Sequence, residues 1–316
     1  MKRMIPLFLL LVCMTLAGCA GVKVSFVGSG DYMSLRRGDI LTTGELSTYT
    51  GASLQVVGID KKVCDKDASG CRKALMETIG LHSENRLSAL AELWLKDAME
   101  LEKQFIESGH IEATLNAYLE TARYSYAYLF LTKRTPNMRA LEDRQTQVRD
   151  YYNYAVEKTL TTLFEYYRKR LPPDFNFEKD THFESGQWHI TIRNEDLRLA
   201  EEHIFPEDLI PASSLSFAGL RNQYRRDGLG AELVAVTSTR VVSRQSAEMP
   251  FSETPFPPVT AVMSFPGNTW MDVLKTNEVV ITGYDPYSRE SFKLVGKEVP
   301  LAANFTSGYG LWLARS

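Results

Sequence analysis

Through the first half of the chain, apolar residues recur every three or four positions, and through much of the second half they alternate. From Ser83 onward, Leu87, Leu90, Trp94, Ala98, Leu101 and Phe105 follow the first pattern. A helix gathers them onto one face that has to be packed against something. Gly109 interrupts the run, and Ile111, Leu115, Tyr118, Ala122, Tyr126 and Leu129 repeat it up to a polar break and Pro136. A third helix carries Val148, Tyr152, Ala155, Leu163 and Tyr166. It has to end before Pro172-Pro173, because a proline drives the residue before it out of the helical region. Upstream, Thr42 and Glu45 stand in capping-box spacing ahead of Leu46, Tyr49, Leu54 and Val57. That spacing predicts one shorter helix ending near Gly58.

Past the double proline the period changes. Segments 188–192, 233–242, 259–265, 278–284 and 291–295 are rich in β-branched and aromatic residues, with Pro266-Gly267-Asn268 and Asp285-Pro286 as turns between them. Short strands spaced by turns predict an antiparallel sandwich or sheet, and no strand–helix alternation builds a parallel nucleotide-binding or hydrolase sheet. The expected class is α+β: a helical region at 42–171 whose antiparallel hairpins resemble tetratricopeptide hairpins, then an antiparallel β-rich domain at 174–316.

The N-terminus follows neither pattern. Lys2 and Arg3 precede a short apolar run over residues 5–16, closed by Leu16-Ala17-Gly18-Cys19. This resembles a bacterial lipoprotein signal and is too short for a comfortable membrane span. The resemblance implies that residues 1–18 are removed and that Cys19 carries a diacylglycerol thioether and an N-acyl chain, holding the protein on a membrane. Ala20, where an Asp would signal otherwise, implies the outer membrane, with the protein facing the periplasm. Residues 19–41 then read as a lipidated tether and lead-in segment.

Composition narrows the chemistry. The chain has 316 residues and a formal net charge of −3, so no global field argues for nucleic acid. Besides Cys13 and Cys19 there are two cysteines, Cys64 and Cys71. On the oxidising side of a membrane they are expected to form a disulfide around a short loop. Within that loop Asp65, Asp67, Ser69 and Gly70 match the first half of a calcium loop. The twelfth position is Met76 where a bidentate Glu is needed, and Glu77 comes one residue late, so a solvated turn is expected. His82, His110, His182, His189 and His203 show no zinc spacing. There is no Gly-x-Ser-x-Gly elbow, and Gly28-Ser29-Gly30, Gly296-Lys297 and Ser307 lack the flanks of phosphate loops or nucleophiles. No catalytic residue, metal or cofactor is therefore assigned.

Residues 219–230 stand out: Arg221, Tyr224, Arg225 and Arg226 precede Asp227-Gly228-Leu229-Gly230. Guanidinium forks suit an anionic headgroup or the carboxylates of a neighbouring domain, whereas a solvated loop would pair one of them with Asp227. These four residues are the candidate partner contact. Tyr151, Tyr152, Tyr154, Phe164, Tyr166 and Tyr167 in the third helix read as packing rather than as a glycan or lipid groove.

Several strings together resemble one family, bacterial lipoproteins in which a helical-then-β region precedes an α/β-hydrolase domain. They are Arg37-Gly38-Asp39-Ile40-Leu41-Thr42, the Cys64 and Cys71 pair, Leu87-Ser88-Ala89-Leu90-Ala91-Glu92-Leu93, Leu220-Arg221-Asn222-Gln223-Tyr224-Arg225-Arg226, Tyr284-Asp285-Pro286 and Val299-Pro300-Leu301-Ala302-Ala303-Asn304-Phe305-Thr306. They run in family order across about residues 31–313. In that family a linker and the hydrolase sheet follow, and none of its catalytic residues has a counterpart here. The resemblance implies a non-catalytic, membrane-anchored accessory module for an α/β-hydrolase domain or another envelope protein. The alternative is the N-terminal part of a serine esterase or lipase lipoprotein whose catalytic domain lies beyond residue 316.

Overall fold

The computed structural model describes residues 23–26, 39–108, 111–168, 180–194, 206–220, 222–237 and 256–315. Its helices are α1 (Ile40–Thr43), α2 (Thr48–Val56), α3 (Ala68–Glu77), α4 (Ser83–Ser108), α5 (Ile111–Leu131), α6 (Asp143–Arg168), α7 (Trp270–Val273) and α8 (Phe305–Arg315). The strands in the first part of the chain are β1 (Lys23–Phe26), β2 (Asp180–Ser185), β3 (Trp188–Asn194), β4 (Asp208–Pro211), β5 (Leu215–Ala218) and β6 (Arg225–Arg226). They are followed by β7 (Ala231–Val236), β8 (Pro258–Ser264), β9 (Glu278–Tyr284), β10 (Ser291–Leu294), β11 (Lys297–Pro300) and β12 (Ala303–Asn304). The class is α+β, as expected. The signal segment, Cys19, Arg37, Gly109, Pro172-Pro173, Arg221 and residues 238–242 lie outside the described residues.

The three long periodic runs are α4, α5 and α6. Glu84, at the start of α4, pairs with Arg134 just past α5, and Arg134 also pairs with Glu142 just before α6. Farther along the helices, Glu102 of α4 takes hydrogen bonds from Tyr118 of α5 and, at 2.6 Å, from Lys158 of α6. The three therefore run up, down and up. The middle helix, α5, is buried on nearly every side, which requires cover all round. Its neighbours α4 and α6 supply two sides. The sheet supplies the third, with Tyr126 against Phe265 at 5.5 Å and Arg123 stacked on Trp188 at 4.8 Å.

The predicted single helix from Thr42 is in fact two. Asp39 caps α1 and shares a reciprocal capping box with Thr42, and Gly44 ends that turn in the left-handed region at φ 74°. A fresh start is then needed, and Ser47 provides it by accepting from the Thr50 amide at 3.2 Å. Ser47 also donates to the buried carboxyl of Glu92 at 2.6 Å, which Tyr151 reaches at 3.1 Å. One cap thus ties α2 to α4 and α6. Burial pushes the Glu92 carboxyl above its ordinary range despite these donors.

Cys64 and Cys71 form a disulfide. The loop they close is a solvent-exposed turn in its first half, as expected, and its second half opens a helix, because Asp67 caps α3 by accepting from the Gly70 amide at 2.8 Å. Helix formation uses the carboxylate that the calcium-loop pattern would have offered to a cation.

The main sheet has the order β2-β3-β9-β8-β7-β4. All its pairs are antiparallel except β3 with β9. Alternation within a strand could not show this, since it marks which face is buried and says nothing of the neighbour's direction. The third long helix, α6, lies against the sheet. The Tyr152 hydroxyl donates to the Met263 carbonyl and accepts from the Met263 amide at 2.8 Å. Asn153 holds the Gly228 carbonyl at 3.2 Å and the Gly230 amide at 2.8 Å. One apolar core consequently runs from Leu90, Tyr118 and Val156 into Trp188, Leu233, Met263 and Ile281. A second, smaller core joins Ile210, Leu215, Val234, Val236 and Phe256 to Leu311 of α8.

No pattern in the sequence announced α8, whose stretch 305–315 contains two glycines. The glycines are there for contact. A Cβ at Gly308 would stand 2.3 Å from the Phe256 carbonyl oxygen, and one at Gly310 would stand 2.6 Å from the Phe217 ring. Close approach to β5 and to the segment before β8 therefore outweighs the helix-propensity cost of glycine.

Candidate interaction surface

Three of the strings that carried the resemblance, far apart in sequence, meet at one corner. Strand β6 pairs with β12, Arg226 opposite Ala303 and Arg225 opposite Asn304. Either side of that pair, the Leu229 amide donates to the Pro300 carbonyl at 2.9 Å and the Phe305 amide to the Tyr224 carbonyl at 3.0 Å. The third string, Tyr284-Asp285-Pro286, makes a turn in which the Asp285 carboxylate accepts from the Tyr287 amide at 2.8 Å. This is ordinary Asx-turn chemistry.

Arg226 binds the three together. Its Nε donates to the Leu301 carbonyl at 2.8 Å, and its Nη2 to the carbonyls of Arg289 at 2.8 Å and Pro286 at 3.3 Å. Its guanidinium also lies 5.6 Å from the centre of the Phe305 ring. A planar fork serves these three carbonyls from two nitrogens held apart in one plane, which the single ammonium of a lysine does not offer. Arg225 turns to Glu232, with Nε at 3.1 Å from the carboxylate.

Arg226 thus faces inward, Arg225 stays exposed beside Glu232, and the tyrosines face out. The Tyr224 backbone is held on both sides, its amide 2.6 Å from Thr306 Oγ1 and its carbonyl bound by Phe305, yet its side chain is 67% exposed. Tyr287 is 51% exposed, with its ring 5.0 Å from that of Phe305. Partial burial, and then the neighbouring Asp285 charge, raise its hydroxyl above the ordinary phenol value. The aromatic stripe continues along α8, where Tyr309 stands 5.8 Å from Trp312. The Asn304 side chain accepts from the Ser307 amide at 3.1 Å and so fixes where α8 begins. Sequence reading singled out Tyr224, Arg225 and Arg226 but missed Tyr287, Phe305 and Tyr309. The Asp-Pro turn was a signal for the first of these, Phe305 lay inside the 299–306 string without a role assigned to it, and Tyr309 showed none.

The other candidates are dispersed. His182 sits beside Thr191 at 3.1 Å and His189 beside Glu184 at 3.6 Å, at separate positions on the β2–β3 pair. Tyr151 and Tyr152 are buried, Tyr154 packs on Tyr118, and Tyr167 packs on Phe183 at 4.4 Å. Among the described residues no group of three or more His, Cys, Asp or Glu stands together as a metal site. No described helix is long and apolar enough to cross a membrane. Searched against known proteins, the chain matches no family model, no curated protein and no solved structure.

Proposed function

We propose that this chain is a lipid-anchored lipoprotein of a bacterial envelope that works by binding, as a non-catalytic accessory module for an α/β-hydrolase domain. The supporting observation is the corner at β6 and β12. Arg226 fixes three remote segments into one framework, and Tyr224 and Tyr287 stand out from it on a backbone that is already ordered. Tyrosines presented in this way offer contact area at little further cost in entropy. In this reading Arg226 positions the surface, Arg225 and Glu232 form its rim, and Arg221 and Tyr224 meet the partner. Attachment through Cys19 to the outer membrane, facing the periplasm, rests on the signal pattern of residues 2–19. A second reading is supported by the order of the resembling strings: the chain is the N-terminal part of a serine esterase or lipase lipoprotein, and the same corner seats its own hydrolase.

The test uses native envelope extracts treated with a fluorophosphonate probe that labels active serine hydrolases. A labelled protein retained by the wild-type chain and lost with Tyr224→Ala plus Tyr287→Ala is the expected result. Label on the chain itself, in a band well above 35.7 kDa, would favour the second reading. No labelled protein in either place would overturn the hydrolase assignment.

A further inference from the structure

Residues 23–26 fall inside the stretch expected to be tether, 19–41, but form strand β1, so the tether from Cys19 is short and its exit point is fixed. Lys23 stands four positions after Cys19, so even a fully extended chain spans at most about 14 Å between them. That is less than the radius of gyration of roughly 20 Å expected for a globule of this length. Strand β1, which begins at Lys23, is clamped to β5 from Lys23 opposite Ala218 to Phe26 opposite Leu215. Directly against β1 lies α8, with Cα atoms within 8 Å. A lipid on Cys19 therefore brings the bilayer to the side of the molecule that carries α8.

The two faces of α8 differ. Thr306, Ser307, Gly308, Gly310 and Leu311 are buried, and the half-buried Trp312 packs with Leu311 against the second core, while Tyr309 is 39% exposed and Leu313 half-buried. Arg315 is exposed at the end of the helix with its guanidinium 5.2 Å over the Phe256 ring, and the helix contains no carboxylate. Tyrosine and tryptophan rings favour the headgroup depth of a membrane, where one end of the ring is apolar and the other wet. A helix with arginine and no acid is also not repelled by anionic lipids.

We infer that the outer face of α8, with Tyr309 and Leu313 flanked by the half-buried Trp312, rests on the phospholipid headgroup layer of the anchoring membrane. The module then lies on its membrane in one orientation instead of swinging on its leash. This inference rests on the lipidation of Cys19 and is separate from the partner contact at Tyr224.

The experiment uses the full, natively processed chain carrying Tyr309→Cys. Cys64 and Cys71 are bonded to each other and buried, so a nitroxide label goes to position 309. The protein is placed at low density in vesicles of mainly phosphatidylethanolamine with a minority of phosphatidylglycerol. Mass spectrometry of the N-terminal peptide establishes whether Cys19 is acylated. The label at 309 is expected to collide more with oxygen than with a water-soluble nickel reagent. The order should reverse for a label at Ile79→Cys, a site 98% exposed on the helical half. Acylated protein whose 309 label behaves like the one at 79 would overturn the inference and leave the anchor standing. A 309 label shielded from both reagents would mean that a second copy covers α8, which also overturns it. An unmodified Cys19 would overturn the anchor and the inference together.

Discussion

At the scale of single residues, the chain spends its ionisable groups on assembly. Glu120 and Arg123 form an ion pair inside α5, and Arg123 also donates to the Thr276 carbonyl at 2.9 Å. Burial raises the Glu120 carboxyl, and the Arg123 charge opposes the rise without cancelling it. Glu84 goes the other way: burial pulls it up, but the bond from Arg134 and the charge of Arg139 leave it below the ordinary value. The clearest case is Glu157 of α6. Its carboxylate accepts from Ser213 Oγ at 2.9 Å, and burial pushes its pKa up to about 7 even with Lys158 beside it. Glu232 and Glu102 push in the same direction. The folded protein therefore holds a proton between pH 4.5 and about 7 that the unfolded chain has released. Folding stability falls as pH rises through that window, by about 3 kcal/mol if this group acted alone. Glu157→Gln keeps an acceptor for Ser213 and removes the charge. Urea midpoints should show it stabilised at pH 8 and near wild type at pH 4.5, and an equal shift at both would refute the assignment.

At the scale of elements, caps and clips decide where helices begin. The spacing of Thr42 and Glu45 was a true signal for a helix start and named the wrong residues. Asp39 and Ser47 cap instead because Gly44 breaks the segment between them. The disulfide does similar work for α3. Closing a loop of this size removes enough freedom from the unfolded chain to contribute about 2.5 kcal/mol on the loop-entropy model. Asp67 starts α3 independently of the bridge. Cys64→Ser with Cys71→Ser should therefore lower the denaturation free energy by about 2 kcal/mol while leaving the far-ultraviolet circular dichroism of the folded state unchanged. A large loss of helix signal would mean that the bridge, and not the cap, holds α3.

At the scale of the whole molecule, the helices and the sheet share one apolar core, tied across the junction by Tyr152, Asn153 and Arg123. Elements that bury the same side chains lose them together. Helix content followed at 222 nm and tryptophan fluorescence, to which the buried Trp188 of β3 contributes, should give coincident urea transitions. Two separate midpoints would show that the helical and β halves fold independently. The sequence by itself determined the three long helices, the α+β class, the bonded cysteines and the strand at 278–284, because each rests on local periodicity or on a pair of residues close in the chain. Only the tertiary structure decided that β9 runs parallel to β3, that 305–315 is a helix, and that Arg226 turns inward to three carbonyls while Tyr224 turns out. Those outcomes depend on contacts between segments tens to hundreds of residues apart, and no local period encodes them.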